Sequence, residues 1–203
     1  MIHTLIEHLR IPLSRIAAII GLFFLCSTTS YWDKTNSMVS FVLFLIGMIL
    51  VAIASLGRMW CSLYIAGYKD QKLITKGPYS LCRNPLYFFS MLGGIGVGFS
   101  TETLTFPLLL SVLFALYYPF VIKSEERRLE RFFGQAFADY KMKVSAFFPR
   151  FATFDEPEQY VVNPGVYRNH IFSALWFIWV VGILEVLEGL KETGLVGSFW
   201  TIY

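Results

Sequence analysis

The sequence predicts an all-α, polytopic membrane protein of about five transmembrane helices, with a cytosolic amphipathic helix. Composition is the first observation behind this: 56% of the 203 residues are hydrophobic and only 15% charged, a balance unlike that of soluble domains. The second is a set of apolar runs of helical length, and the third is the distribution of the cations between them.

A helix rises about 1.5 Å per residue, so roughly 20 apolar residues cross a hydrocarbon layer of about 30 Å. The first run, approximately 11–30, has Arg10 and Arg15 at its start and reaches Ser27-Thr28-Thr29-Ser30 without a processing site, so it reads as a membrane helix rather than a signal peptide. The second run spans 38–56. The third and fourth, 86–103 and 104–122, are separated only by the turn-prone Ser100-Thr101-Glu102 ahead of Pro107, which predicts a tight helical hairpin. The fifth spans 171–190.

Every lysine and arginine except Lys34 and Lys191 falls in the segments that one topology places inside. The positive-inside rule therefore predicts a cytoplasmic N-terminus, an external C-terminus and two large cytosolic segments, 57–85 and 123–170. The external connections are short, so any chemistry is expected in those two segments. A net charge of +3 with no basic arm offers nothing suited to nucleic acid. Cys26, Cys61 and Cys82 are scattered without CxxC spacing and read as buried apolar residues; no metal site is expected. Of the three histidines, His3, His8 and His170, none lies in a motif loop.

In the second cytosolic segment Leu129, Phe132, Phe133, Phe137, Tyr140, Val144 and Phe147 recur at steps of three and four, predicting one amphipathic helix over 123–148. Glu125 and Glu126 precede Leu129 by four and three residues, so at least one turns toward the apolar face and must meet a cation. Spacing leaves two kinds of partner open: a cation of the chain such as Arg127, Arg128 or a lipid-facing lysine, or the positive charge of a ligand. In the first segment, Gly77-Pro78-Tyr79-Ser80 and Arg83-Asn84-Pro85-Leu86-Tyr87 form a stiff, turn-rich loop that delivers Arg83 and Tyr87 to the mouth of the third span.

These elements, with Arg58-Met59-Trp60 upstream and Phe133-Gly134, Phe137, Tyr140 and Val144 downstream, resemble the isoprenylcysteine carboxyl methyltransferase and phospholipid methyltransferase superfamily. The resemblance covers residues 56–151, a core within a single membrane-embedded domain, 1–203, and leaves 152–203 as an extension with a fifth membrane helix. It implies methyl transfer from S-adenosylmethionine, with S-adenosylhomocysteine as product, to a lipid-like or amphiphilic acceptor at the cytoplasmic interface. It implies cofactor contacts from Gly77, Pro78, Tyr79, Arg83, Asn84, Pro85, Tyr87, Glu125 and Glu126, and catalytic roles for Arg83, Glu126 and Tyr87. Many isoprenylcysteine-type members carry histidine at the place of Asn84 and arginine at that of Lys143.

The chemistry matches those residue types. The cofactor bears an ammonium, a sulfonium, a carboxylate and an adenine, so its pocket needs an acid, donors and flat apolar walls. A glutamate suits the ammonium, Arg83 and backbone N–H groups the carboxylate, and Tyr79, Tyr87 or Phe147 the adenine. An ammonium nucleophile would need a base, for which Glu126, Asp139 and Tyr117 are candidates. Two rivals were weighed. An NADPH-dependent membrane reductase of related fold would carry an Arg-Asp pair and a cysteine in place of Glu125-Glu126 and Leu129, and a non-catalytic lipid-binding protein would take no cofactor.

Overall fold

The structure, a computed structural model, describes residues 24, 27–68, 71–197 and 199–203. Most of the expected first span, 11–30, together with Arg10, Arg15, Cys26, His3 and His8, lies outside the described residues. Its last three residues, Thr28–Ser30, are a strand (β1) rather than helix, paired in parallel with Trp200–Ile202 (β2) near the C-terminus. The run Ser27–Ser30 is rich in β-branched and hydroxyl side chains, which favour an extended chain over helix. A short helix, α1 (Tyr31–Thr35), follows under an Ser30 cap.

The long elements come next. Helix α2 (Ser37–Ile65) starts at Asn36, whose side chain accepts from the Met38 and Val39 amides. It runs nine residues past the expected end of the second span. The first polar segment is correspondingly shorter than 57–85, because Arg58-Met59-Trp60 and the apolar residues beyond them keep the helical register. After the single turn α3 (Pro78–Leu81), helix α4 (Pro85–Phe99) begins with proline at its first position and stops four residues before the expected boundary. The hairpin turn is as anticipated, with Glu102 at φ 57°. Helices α2, α5 (Thr105–Phe133) and Pro164–Glu192 are long and apolar enough to cross a membrane, and α4 is a shorter apolar helix. The protein is an all-α integral membrane protein with a minimal strand pair.

Helices α2 and α4 make the tightest contact in the bundle. A Cβ on Gly47 would lie 2.7 Å from the Gly96 carbonyl oxygen, and one on Gly96 would lie 2.9 Å from the Gly47 carbonyl. Two backbones meet here through small residues, as helices in lipid do when no solvent drives them together. Val51 and Ala54 of α2 join Phe177 and Val181 in the buried core.

The amphipathic helix expected over 123–148 is not one helix. Residues up to Phe133 prolong α5 without a break, and the chain turns at Gly134, φ 49°, into α6 (Gln135–Lys143). Glycine adopts that positive φ without steric cost, so the register resets there. Phe137, Tyr140 and Val144 then form a buried cluster against Leu73, Leu129 and Phe133, while Phe132 stays exposed and Phe147 lies beyond the helix. The extension contributes a 3-10 turn (Phe151–Thr153), α7 (Pro164–Ala174) and α8 (Trp176–Glu192), the last two nearly continuous through Leu175.

Candidate functional site

The loop before α4 is held from three directions. Gly77 has φ 60° and ψ −131°, and a Cβ there would lie 2.3 Å from the Tyr64 ring, so only glycine lets the loop lie on that tyrosine. Its N–H donates to the Asp155 carbonyl at 2.8 Å, and Pro78 is buried at the start of α3. Ser80 accepts from the Asp155 amide, the Leu81 carbonyl accepts from the Arg150 amide at 2.9 Å, and the Arg83 amide donates to Ser145 at 2.8 Å. Segment 144–155 thus braces the 77–84 loop along its length.

Arg83 closes this frame. Its Nε donates to Glu126 Oε1 at 2.8 Å and its Nη1 to the carbonyls of Lys141 and Val144 at 3.0 and 2.5 Å. Both side chains are nearly buried, 9% and 13% exposed, so this ion pair is largely shielded from water. Asn84 is buried and donates to the Ala146 carbonyl at 2.9 Å and to the same Glu126 oxygen at 3.4 Å. Glu125 pairs instead with Arg128 at 2.6 Å, one turn on along α5. Of the two kinds of partner that spacing left open, neighbours in the fold take both acids, and for Glu126 the neighbour is the loop arginine.

These elements wall a cavity of about 750 Å³, within the range of cofactor sites. Tyr79, Arg83, Asn84, Pro85 and Tyr87 line it from the loop, and Glu125, Arg128, Leu129 and Phe133 from α5. Gly77, Pro78, Glu126 and Phe147 do not line it; the first two shape the loop, and Glu126 stands behind Arg83. Of the suggested bases, Asp139 is exposed and accepts from Gln135 at 2.8 Å, and Tyr117 faces outward. Its neighbour Tyr118 turns inward, with its ring 5.5 Å from that of Tyr87.

Burial pushes the hydroxyls of Tyr79 and Tyr140 well above the usual phenol range, and that of Tyr140 donates to the Tyr79 carbonyl at 2.6 Å. Both are neutral at physiological pH. Burial likewise pushes the Cys82 thiol up to about 12 despite the nearby Arg83.

Sequence reasoning left out the extension. Val166, His170 and Ser173 of α7 line the cavity, and so do Tyr68 and Arg58 of the α2 side. The connecting strap is pinned by Tyr160, which donates to the Tyr64 carbonyl at 2.7 Å, and by Tyr64, which donates to Glu156 at 2.9 Å. The signal for α7 was present in Asn163-Pro164, a cap followed by a first-turn proline, with the Asn163 side chain accepting from the Val166 amide.

Comparison with known proteins gives the family. The phospholipid methyltransferase family profile matches residues 35–136. The chain is 38% identical over 190 residues to the nickel-cobalt-cadmium resistance protein NccN of Alcaligenes xylosoxydans xylosoxydans, covering 94% of this chain and 88% of that one. It is 38% identical over 173 residues to the cobalt-zinc-cadmium resistance protein CzcN of Cupriavidus metallidurans, covering 85% and 79%. It is also 32% identical over 126 residues, 59% of this chain and 63% of the other, to a probable protein-S-isoprenylcysteine O-methyltransferase of rice, Oryza sativa. No solved structure matches at a significant level. The family match and the apolar helices together define an integral membrane protein of the methyltransferase class. The chain belongs to the phospholipid methyltransferase family, within the superfamily that includes the isoprenylcysteine enzymes.

Proposed function

We propose that this protein transfers a methyl group from S-adenosylmethionine to a lipid-like or amphiphilic acceptor, with its N-terminus and both large polar segments on the cytoplasmic side. The observation that carries the reading is the meeting of the two family motifs, Arg83-Asn84-Pro85-Leu86-Tyr87 and Glu125-Glu126, at the wall of one cavity of cofactor size.

The residues present fit the cofactor. Glu125 and Arg128 form an adjacent acid-base pair on the cavity wall, complementary to an amino acid's ammonium and carboxylate. Tyr79, Tyr87 and Leu129 offer flat or apolar surface for the adenine. Bound there, the cofactor supplies a methyl activated on a sulfonium. What the protein adds is alignment and exclusion of water, the two factors that favour a direct displacement at carbon. Glu126 holds Arg83, and through it the loop, so that Tyr87 stands at the mouth of α4. Tyr79 and Tyr140 stay protonated, so neither serves as a base.

Two relatives are named as metal resistance proteins, and we extend that setting to this chain, with a methylated membrane component as its contribution. Growth of a deletion strain on cobalt tests this: tolerance should return with the wild-type gene and not with Glu125→Gln.

Isothermal titration of the purified protein with S-adenosylhomocysteine and with NADPH tests the cofactor. Saturable binding of the first alone is expected; binding of NADPH alone would favour a reductase.

A further inference from the structure

Arg58 belongs to two walls at once. It lines the large cavity and also a second recess of about 470 Å³, an open groove between α5 and the α7–α8 junction. Phe114, Phe172, Trp176 and Phe177 make that groove aromatic, and Tyr118 stands beside the guanidinium. Arg58 lies 21 residues beyond Ser37, the first residue of α2, which is about 31 Å along the axis. With Ser37 at one face of a hydrocarbon layer about 30 Å thick, Arg58 falls at the other, at the end of the bundle that holds the cavity. From that level Phe114 is one helical turn nearer the opposite end, so the groove leads from the arginine into the apolar layer.

The guanidinium has no anion to satisfy it among the described residues. One Nη donates to the Ser90 hydroxyl; the other reaches the Ser173 carbonyl and hydroxyl at 3.2 and 3.1 Å, and the group stacks over Phe177 at 5.6 Å. Its Nε is buried without an acceptor. Arginine keeps its charge in proteins, and a half-buried charge at the edge of the apolar layer with only neutral partners is costly. The aromatic trough beside it matches a hydrocarbon chain, and a fixed planar cation at the trough's head matches a carboxylate or phosphate.

We propose that this groove binds the methyl acceptor, and that the acceptor is a membrane amphiphile with an anionic head group: the chain lies along Phe114 and Trp176 and the anion docks on Arg58 beside the cofactor cavity. The acceptor role rests on the methyltransferase reading; the anionic-lipid site does not. Residues 172–177 belong to the extension beyond the family match, so the extension sets acceptor class.

Native mass spectrometry of the full chain released from nanodiscs of phosphatidylglycerol and phosphatidylcholine, with matched acyl chains and no cofactor, tests the site. Wild type should retain phosphatidylglycerol about fivefold over phosphatidylcholine. Arg58→Gln should bring the ratio close to one, Arg58→Lys should keep most of it, and Trp176→Ala should lower retention of both lipids without changing the ratio. Equal retention by wild type overturns the proposal without recourse to any variant, as does an unchanged ratio in a folded Arg58→Gln protein. Titration of wild type with S-adenosylhomocysteine separates the two failures. Cofactor binding with no lipid preference defeats this inference alone, and lipid preference without cofactor binding defeats the acceptor role.

Discussion

Arg83 and Glu126, 43 residues apart in the chain, meet at 2.8 Å and tie the loop before α4 to the C-terminal part of α5. The same carboxylate oxygen also receives Asn84. One acid thus organises two adjacent residues of the loop, and the cavity wall is built on that junction.

Breaking this pair should cost stability as well as activity. Removing one member leaves the other charged and nearly buried, which costs about 3–5 kcal/mol in comparable pairs. Arg83→Ala and Glu126→Ala should each lower the melting temperature in detergent, and the double variant should lose less than the sum. Strict additivity would show that the two do not interact.

Glu125 should act differently from its neighbour. It faces the cavity and is a third exposed, 34%, so Glu125→Gln should leave thermal stability near wild type. It should weaken S-adenosylhomocysteine about tenfold, the loss of one charge-assisted contact. Glu188→Gln, at the opposite end of the bundle, should leave affinity unchanged in the same titration. Equal losses from both would move the site.

Gly77 tests the loop's shape. Alanine there meets the Tyr64 ring and takes a left-handed backbone, a cost of about 1–3 kcal/mol. Gly77→Ala should destabilise the protein, and Tyr64→Ala in that background should recover part of the loss by removing the clash. No recovery would place the damage elsewhere.

Cys82 should be inert. With its thiol at about 12, roughly one molecule in ten thousand is thiolate at pH 8. Peptide-level mass spectrometry after iodoacetamide should find Cys82 unmodified in the native protein and labelled after unfolding. The unfolded thiol loses its proton near 9 and the native one only near 12, so the native state binds more protons in that window. Stability from this group is therefore full below pH 9 and falls as pH rises toward 12.

The spans and hairpin were legible because hydropathy and turn chemistry act locally: 38–56, 86–103 and 104–122 each match one helix and 171–190 runs across α7 and α8, with ends shifted by up to 11 residues. The joint at Gly134 was not read, because the apolar steps of three and four continue across it from Leu129 to Tyr140. Spacing alone could not say which cation meets which glutamate, since Arg83 approaches Glu126 only through the tertiary fold. Arg128, by contrast, is a helical neighbour of Glu125 and was among the partners considered. The roles of Arg58, Tyr118 and Ser173 were equally hidden, because each depends on which face of its helix turns inward.

The central claim is methyl transfer from this cavity to a membrane acceptor. Purified protein in nanodiscs with extracted lipid and deuterated-methyl S-adenosylmethionine, followed by mass spectrometry of the lipid fraction, measures it directly. Label in a lipid species, abolished by Glu125→Gln, is the result expected. Cofactor bound and no label in any lipid species would contradict it.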